Sequence, residues 1–116
     1  MLTIYQSNNC GSIEVPVIQE VLHEGKIVHI NIKGRFDYTL SQDFRNAYRH
    51  IPAQEGVAFH VDLSDADYMD SSALGMMLLL REHAKCRGGS VIIQHPSDPI
   101  DKILKVANFE QLFTIN

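Results

Sequence analysis

Two β-rich runs, Val17 to His23 and Lys26 to Lys33, flank Glu24-Gly25, a dipeptide suited to a hairpin turn. In the second run Val28, Ile30 and Ile32 alternate with Ile27, His29, Asn31 and Lys33, which predicts a strand with one apolar and one more polar face. Gly34 ends that strand, and Arg35-Phe36-Asp37 reads as a loop. The period then changes. Leu40, Phe44, Ala47, Tyr48 and Ile51 fall at i, i+4, i+7, i+8 and i+11, the stripe of an amphipathic helix. Thr39 or Ser41 can cap its start. Pro52 stops it, because the residue before a proline avoids the helical region. Alternation returns at Val57, Phe59, Val61 and Leu63, a second strand pattern.

Asp70-Ser71-Ser72 places three N-cap residue types ahead of an apolar helix from Ala73 to Cys86, which Gly88-Gly89 ends. Leu74, Met77, Leu78, Arg81 and Ala84 form one stripe, leaving Met76, Leu79 and Leu80 toward its sides. Such a helix is either buried on two sides or keeps apolar surface for an adaptable partner. Gly75 adds nothing to helix stability and permits a close backbone approach, from within the fold or by a partner. Val91, Ile92 and Ile93 predict a short buried strand. Ser97-Asp98-Pro99 opens a last helix with its stripe at Ile100, Ile103, Leu104 and Ala107. Phe109, Leu112, Phe113 and Ile115 close the chain as a hydrophobic lid or short strand. At the other end, a short strand fits near Leu2 to Tyr5 and a loop fits Ser7 to Gly11. Residues 1–16 therefore read as an N-terminal extension or edge strand, and residues 17–116 as the domain. The order β-β-α-β-α-β-α predicts a single α/β domain: a small mixed sheet with an N-terminal hairpin, parallel right-handed crossovers and three to four helices.

The length of 116 residues suits one domain that buries roughly two-thirds of its unfolded surface without disulfides or metal. A net charge of −4 argues against nucleic acid as a partner. The longest apolar run, Met76 to Leu80, is far short of the about 20 residues that span a bilayer, so no membrane insertion is expected. No signal-peptide pattern opens the chain. Cys10 and Cys86 lie in no motif and read as free thiols in a reducing, cytoplasmic setting.

Metal and cofactor chemistry finds no support. The six histidines show no H-x-x-x-H spacing, and C-x-x-C, phosphate-binding glycine loops and the nucleophile elbow are absent. His60 and Asp62 share a strand face and, with His29, are the residues an enzymatic or ligand site would use. Polar residues on a wet sheet face are the simpler account of them.

From Ile51 to Leu80 there is no lysine or arginine, while Glu55, Asp62, Asp65, Asp67 and Asp70 all fall there. Ser71 and Ser72 sit where a helix start offers free N–H groups and the positive end of its dipole. A phosphate there would add about −1.5 to −2 charges beside several carboxylates. That makes an electrostatic switch; a plain capped helix behind a solvated acidic loop is the other account.

Tyr68-Met69-Asp70-Ser71-Ser72-Ala73-Leu74-Gly75 resembles the signature of STAS domains, in particular of bacterial anti-sigma-factor antagonists. Ile30 to Asp37 is similar to the family's strand ending in glycine and a nearby aspartate, and Val61-Asp62-Leu63 to the strand leading into the serine loop. Ile100 to Ile115 is similar to its terminal helix and closing hydrophobics, so the likeness spans about residues 17 to 115. The resemblance implies a STAS-like fold and a non-enzymatic module phosphorylated on Ser72. It implies a partner that is an anti-sigma factor and serine kinase with a histidine-kinase-like ATPase fold, and a metal-dependent serine phosphatase that reverses the modification. The unmodified form binds the kinase and frees its client; the phosphorylated form is released. Asp37, Asp70, Ser71, Gly75 and Met76 would form the partner-binding surface. Ala73 departs from the glycine common at its place, which stiffens the helix start. The first sixteen residues exceed the family core and leave room for an extra contact or a homodimer interface. A second role known for STAS proteins is that of an unphosphorylated subunit in a transporter complex, such as a lipid-transport system, clamping its ATPase.

Overall fold

In the computed structural model the described residues are 3–6, 16–49 and 55–116. The main sheet has six strands in the order β1-β2-β3-β5-β7-β8: β1 (Thr3–Gln6), β2 (Val17–Leu22), β3 (Ile27–Ile32), β5 (Ala58–Asp62), β7 (Ser90–Gln94) and β8 (Thr114–Ile115). β1, β2 and β3 pair antiparallel, and β3, β5, β7 and β8 pair parallel. β4 (Gly34–Phe36) and β6 (Ala66–Met69) form a separate parallel ribbon. The helices are α1 (Ser41–Arg49), α2 (Ser71–Lys85) and α3 (Asp98–Val106). This is the mixed α/β sheet with three helices that the pattern predicts.

Alternation decides which sheet face is covered. Val28, Ile30, Ile32, Phe59, Val61 and Ile93 are fully buried, while their neighbours His29, Asn31, His60, Asp62 and Gln94 are half-exposed on the opposite face. Phe44, Ala47 and Tyr48 of α1, Ala73, Met76, Met77, Leu80 and Ala84 of α2, and Ile100 and Leu104 of α3 complete one continuous core. The His23–Gly25 turn joins β2 to β3 as the hairpin pattern expects.

Several expectations need correction. Arg35-Phe36-Asp37 is not a loop: Gly34–Phe36 is strand β4, and Phe36 is fully buried against Phe44, ring centroids 5.2 Å apart. Gly34 takes φ +74°, a turn that L side chains resist, which lets the chain leave β3 and start the ribbon at once. The acidic stretch before the serines is partly strand β6, with Ala66 and Met69 buried and Asp67 and Tyr68 outward. α1 is preceded by a 3-10 turn, Tyr38–Leu40, capped by Asp37 rather than by Thr39 or Ser41. The core stripe of α2 runs Ala73, Met76, Met77, Leu80, Ala84, so Leu78 lies outside it. The closing segment is a 3-10 turn at Phe109–Gln111 followed by β8. The expected loop at Ser7 to Gly11 and the helix stop at Ile51-Pro52 lie outside the described residues.

Candidate functional site

The ribbon builds the site. β4 and β6 run parallel with Phe36 opposite Met69, so both strands deliver their next residue, Asp37 and Asp70, at the same end. The Asp70 N–H donates to the Phe36 carbonyl at 3.3 Å and ties the two exits together. Each aspartate then caps the next element of the chain. The Asp70 side chain accepts the Ala73 N–H at 2.9 Å and starts α2, satisfying one of the donors a helix start leaves open. Asp37 accepts the Thr39 N–H at 3.0 Å and the Thr39 hydroxyl. Those two hydrogen bonds, the hydroxyl's being the stronger influence, and then Arg35 hold the Asp37 carboxyl below the usual carboxylate range. Arg35 reaches Asp37 at 3.6 Å and lies over the Tyr68 ring, 4.1 Å from its centroid, bridging the ribbon on its outer side. From the far side, the Ser97 hydroxyl donates to the Ala66 carbonyl at 2.7 Å and fastens β6 to the start of α3.

Ser71 and Ser72 occupy the first two positions of α2, and both are exposed. Gly75 stands one turn on; a Cβ built there meets nothing within 4 Å. The fold therefore makes no close approach to Gly75, and the open space lies on its outer side. The site brings together Asp37, Asp70, Ser71, Ser72 and Gly75. Met76 is 8% exposed and packs in the core beneath them, whereas Leu78 (38%) and Leu79 (57%) are the apolar side chains of α2 that face outward.

The histidine candidates fall elsewhere, on the uncovered sheet face. His29 stands 4.0 Å from Asp62, and His60 accepts from Gln94 at 3.1 Å through Nδ1. Burial, and then the neighbouring His29, push the His60 pKa down. Among the described residues no group of three His, Cys, Asp or Glu side chains could hold a metal ion. No helix among them is long and apolar enough to cross a membrane. Cys86 is a free, exposed thiol.

Sequence reasoning missed Arg35 and Tyr68, because both lie in segments read as loop. Their only advance signal was an arginine and a tyrosine at matching places before the two aspartates.

The family described as "Mlab, STAS domain" matches residues 20–114. A STAS-domain containing protein of Pseudomonas aeruginosa (strain UCBPP-PA14) is 46% identical over 93 residues, 80% of this chain and 91% of that protein. An anti-sigma-B factor antagonist of Bacillus subtilis (strain 168) is 24% identical over 90 residues, 77% of this chain and 81% of that one. Among solved structures, the anti-sigma factor antagonist SpoIIAA superposes in its unphosphorylated form with a TM-score of 0.66 at 18% identity, covering 86% of each chain. The Bacillus cell fate determinant SpoIIAA in its phosphorylated form gives 0.62 at 16% identity, covering 86% of this chain and 90% of that one.

Proposed function

The chain belongs to the STAS domain family, and from that premise we propose that it is a phosphorylation-switched protein-binding module, an anti-sigma-factor antagonist. The observation that carries this reading is the exposed Ser72 at the second position of α2, on a junction held beside Asp37 by the β4–β6 ribbon. Likeness to an anti-sigma-B factor antagonist and to a protein solved in phosphorylated and unphosphorylated forms supports it.

In this reading a partner serine kinase with a histidine-kinase-like ATPase fold transfers the γ-phosphoryl group of ATP to the Ser72 hydroxyl, with ADP as leaving group and loss of the hydroxyl proton. A metal-dependent phosphatase returns the hydroxyl by hydrolysis. The chain itself supplies no catalytic group and needs no cofactor. Its helix start accepts the phosphate, since unsatisfied N–H groups and the dipole favour an anion there. The unmodified surface of Asp37, Asp70, Ser71 and Gly75 receives the kinase, which then lets go of the regulator it holds.

The phosphate breaks that contact in two ways. It occupies the volume the partner must fill beside Gly75, and it adds about −1.5 to −2 charges next to Asp70 and Asp37. To swing the complex from nearly full to nearly empty, it must weaken binding by about 5.5 kcal/mol. Burying a dianion without a paired cation is costly enough to supply that.

The test is intact mass of the protein from its own cells beside Ser72→Ala, followed by partner titration with Ser72→Ala and Ser72→Asp. The expected result is a phosphate-sized increment that vanishes in Ser72→Ala, tight binding by that variant and weakened binding by Ser72→Asp. No increment, with equal affinities for both variants, overturns the switch and returns the chain to an unphosphorylated subunit of a transporter complex.

A further inference from the structure

Half way along α2, away from the serines, the surface changes sign. α1 and α2 enclose a groove of about 250 Å³ lined by Arg45, Tyr48, Arg49, Leu79 and His83. Arg45 and Arg49 are one turn apart on α1, and both are exposed. Arg87 closes the far end, with Nη1 3.4 Å from Nδ1 of His83. Three of the chain's five arginines thus gather here, in a protein of net charge −4 whose residues 51–80 hold no lysine or arginine. Among the described residues none of the three makes an ion pair.

The histidine does not compete for an incoming anion's counter-charge. An arginine has only donors, so His83 Nδ1 accepts, and the ring proton sits on Nε2. Burial, then Arg87 and Arg49, push the His83 pKa down, leaving a neutral ring packed edge-on against Tyr48 with centroids 4.8 Å apart. The floor of the groove is aromatic, its rims are guanidinium groups, and Leu79 adds an apolar lip that is 57% exposed.

We propose that this groove is a second docking site, for an acidic segment of a protein partner that lays carboxylates between Arg45, Arg49 and Arg87 and an apolar side chain against Leu79. The charge complement is the argument for an acidic occupant: unpaired guanidinium groups on one rim attract carboxylates in bidentate geometry. The exposed Leu79 and the open, elongated shape favour a peptide over a small anion, which would gain nothing from the leucine. The groove lies on the α1 side of α2, as an extension of the surface that starts at Ser72, yet its charge requirement is opposite to that of the aspartates there. It goes beyond the serine switch and stands without it.

The experiment is amide NMR titration of the full chain with a synthetic peptide, Glu-Asp-Leu-Glu-Glu, and with its neutral counterpart, Gln-Asn-Leu-Gln-Gln. Expected are shifts centred on Arg45, Arg49, Leu79 and His83 for the acidic peptide only. Affinity should fall about tenfold as salt shortens the Debye length from about 10 Å to about 3 Å. The Arg45→Glu/Arg49→Glu variant should lose that binding with an unchanged thermal midpoint, and Ser72→Asp should keep it. Equal binding of the neutral peptide, or shifts elsewhere on the surface, overturns the proposal. Self-association of the chain abolished by the same double substitution would assign the groove to a second copy and also overturn it.

Discussion

The two strand-to-helix junctions of the ribbon are built alike and end differently. Asp37-Tyr38-Thr39 and Asp70-Ser71-Ser72 each place an aspartate at the strand exit and a hydroxyl residue two positions on. At the first junction the carboxylate takes both the N–H and the hydroxyl of Thr39. At the second it reaches one residue further, to the Ala73 N–H, and α2 begins directly. The Thr39 hydroxyl is thereby committed to a turn, while the Ser72 hydroxyl faces outward at a full helix start. The same local chemistry yields a structural brace in one place and a modifiable group in the other. The length of the ensuing helix separates them: a three-residue 3-10 turn against fifteen residues of α2.

Phe36→Ala should erase the difference altogether. Phe36 is fully buried at the ribbon's end, and its loss should cost about 3–5 kcal/mol in chemical denaturation. Both junctions should then lose protection in amide exchange together. Asp70→Ala removes only the cap of α2 and should cost about 1 kcal/mol; Asp37→Ala should cost less, because its turn has no long helix to support. An equal loss for the two would mean that the junctions are equivalent after all. Gly75→Ala should raise stability by about 0.8 kcal/mol, since a Cβ there meets nothing, while weakening partner binding in titration. Unchanged binding would move the docking surface off this turn.

The smallest effect is on acid stability. The folded Asp37 carboxyl titrates below its ordinary 3.8, so its contribution is present above about that pH. It is lost as pH falls through the lower folded value. Thermal melts of Asp37→Asn should show a shallower decline below pH 3.8 than wild type, and no change in the decline would deny the Thr39 interaction its role.

Where alternation or helical spacing was strong, the chain told its fold openly. The β2–β3 hairpin, the buried face of β5 and the capping of α2 at Asp70 were all legible, because each is set by residues within a few positions of one another. The ribbon was not. Three residues of β4 are too few to show a period, and the burial of β6 at both ends, Ala66 and Met69, breaks alternation. Hence Asp37 and Asp70 could be nominated separately, but their adjacency rests on pairing between segments far apart in the chain. α2 hid its orientation for the opposite reason. Apolar side chains occur all round it, so Leu78 and Leu79 could not be told from Met76 and Met77 by spacing. The arginine groove had no local signal, since Arg87 joins Arg45 and Arg49 only through the packing of α1 on α2.

Both ends of α2 are riveted to the sheet system. At its start the Asp70 N–H is held by the Phe36 carbonyl. Beyond its end, a Cβ at Gly89 would stand 2.1 Å from the Val57 carbonyl oxygen, and the Gly56 and Ser90 N–H groups bond across the same joint. Such a helix has no lengthwise play and cannot act as a piston. A chemical change at Ser72 is therefore written on the surface where it occurs, and any message it carries must be read by direct touch.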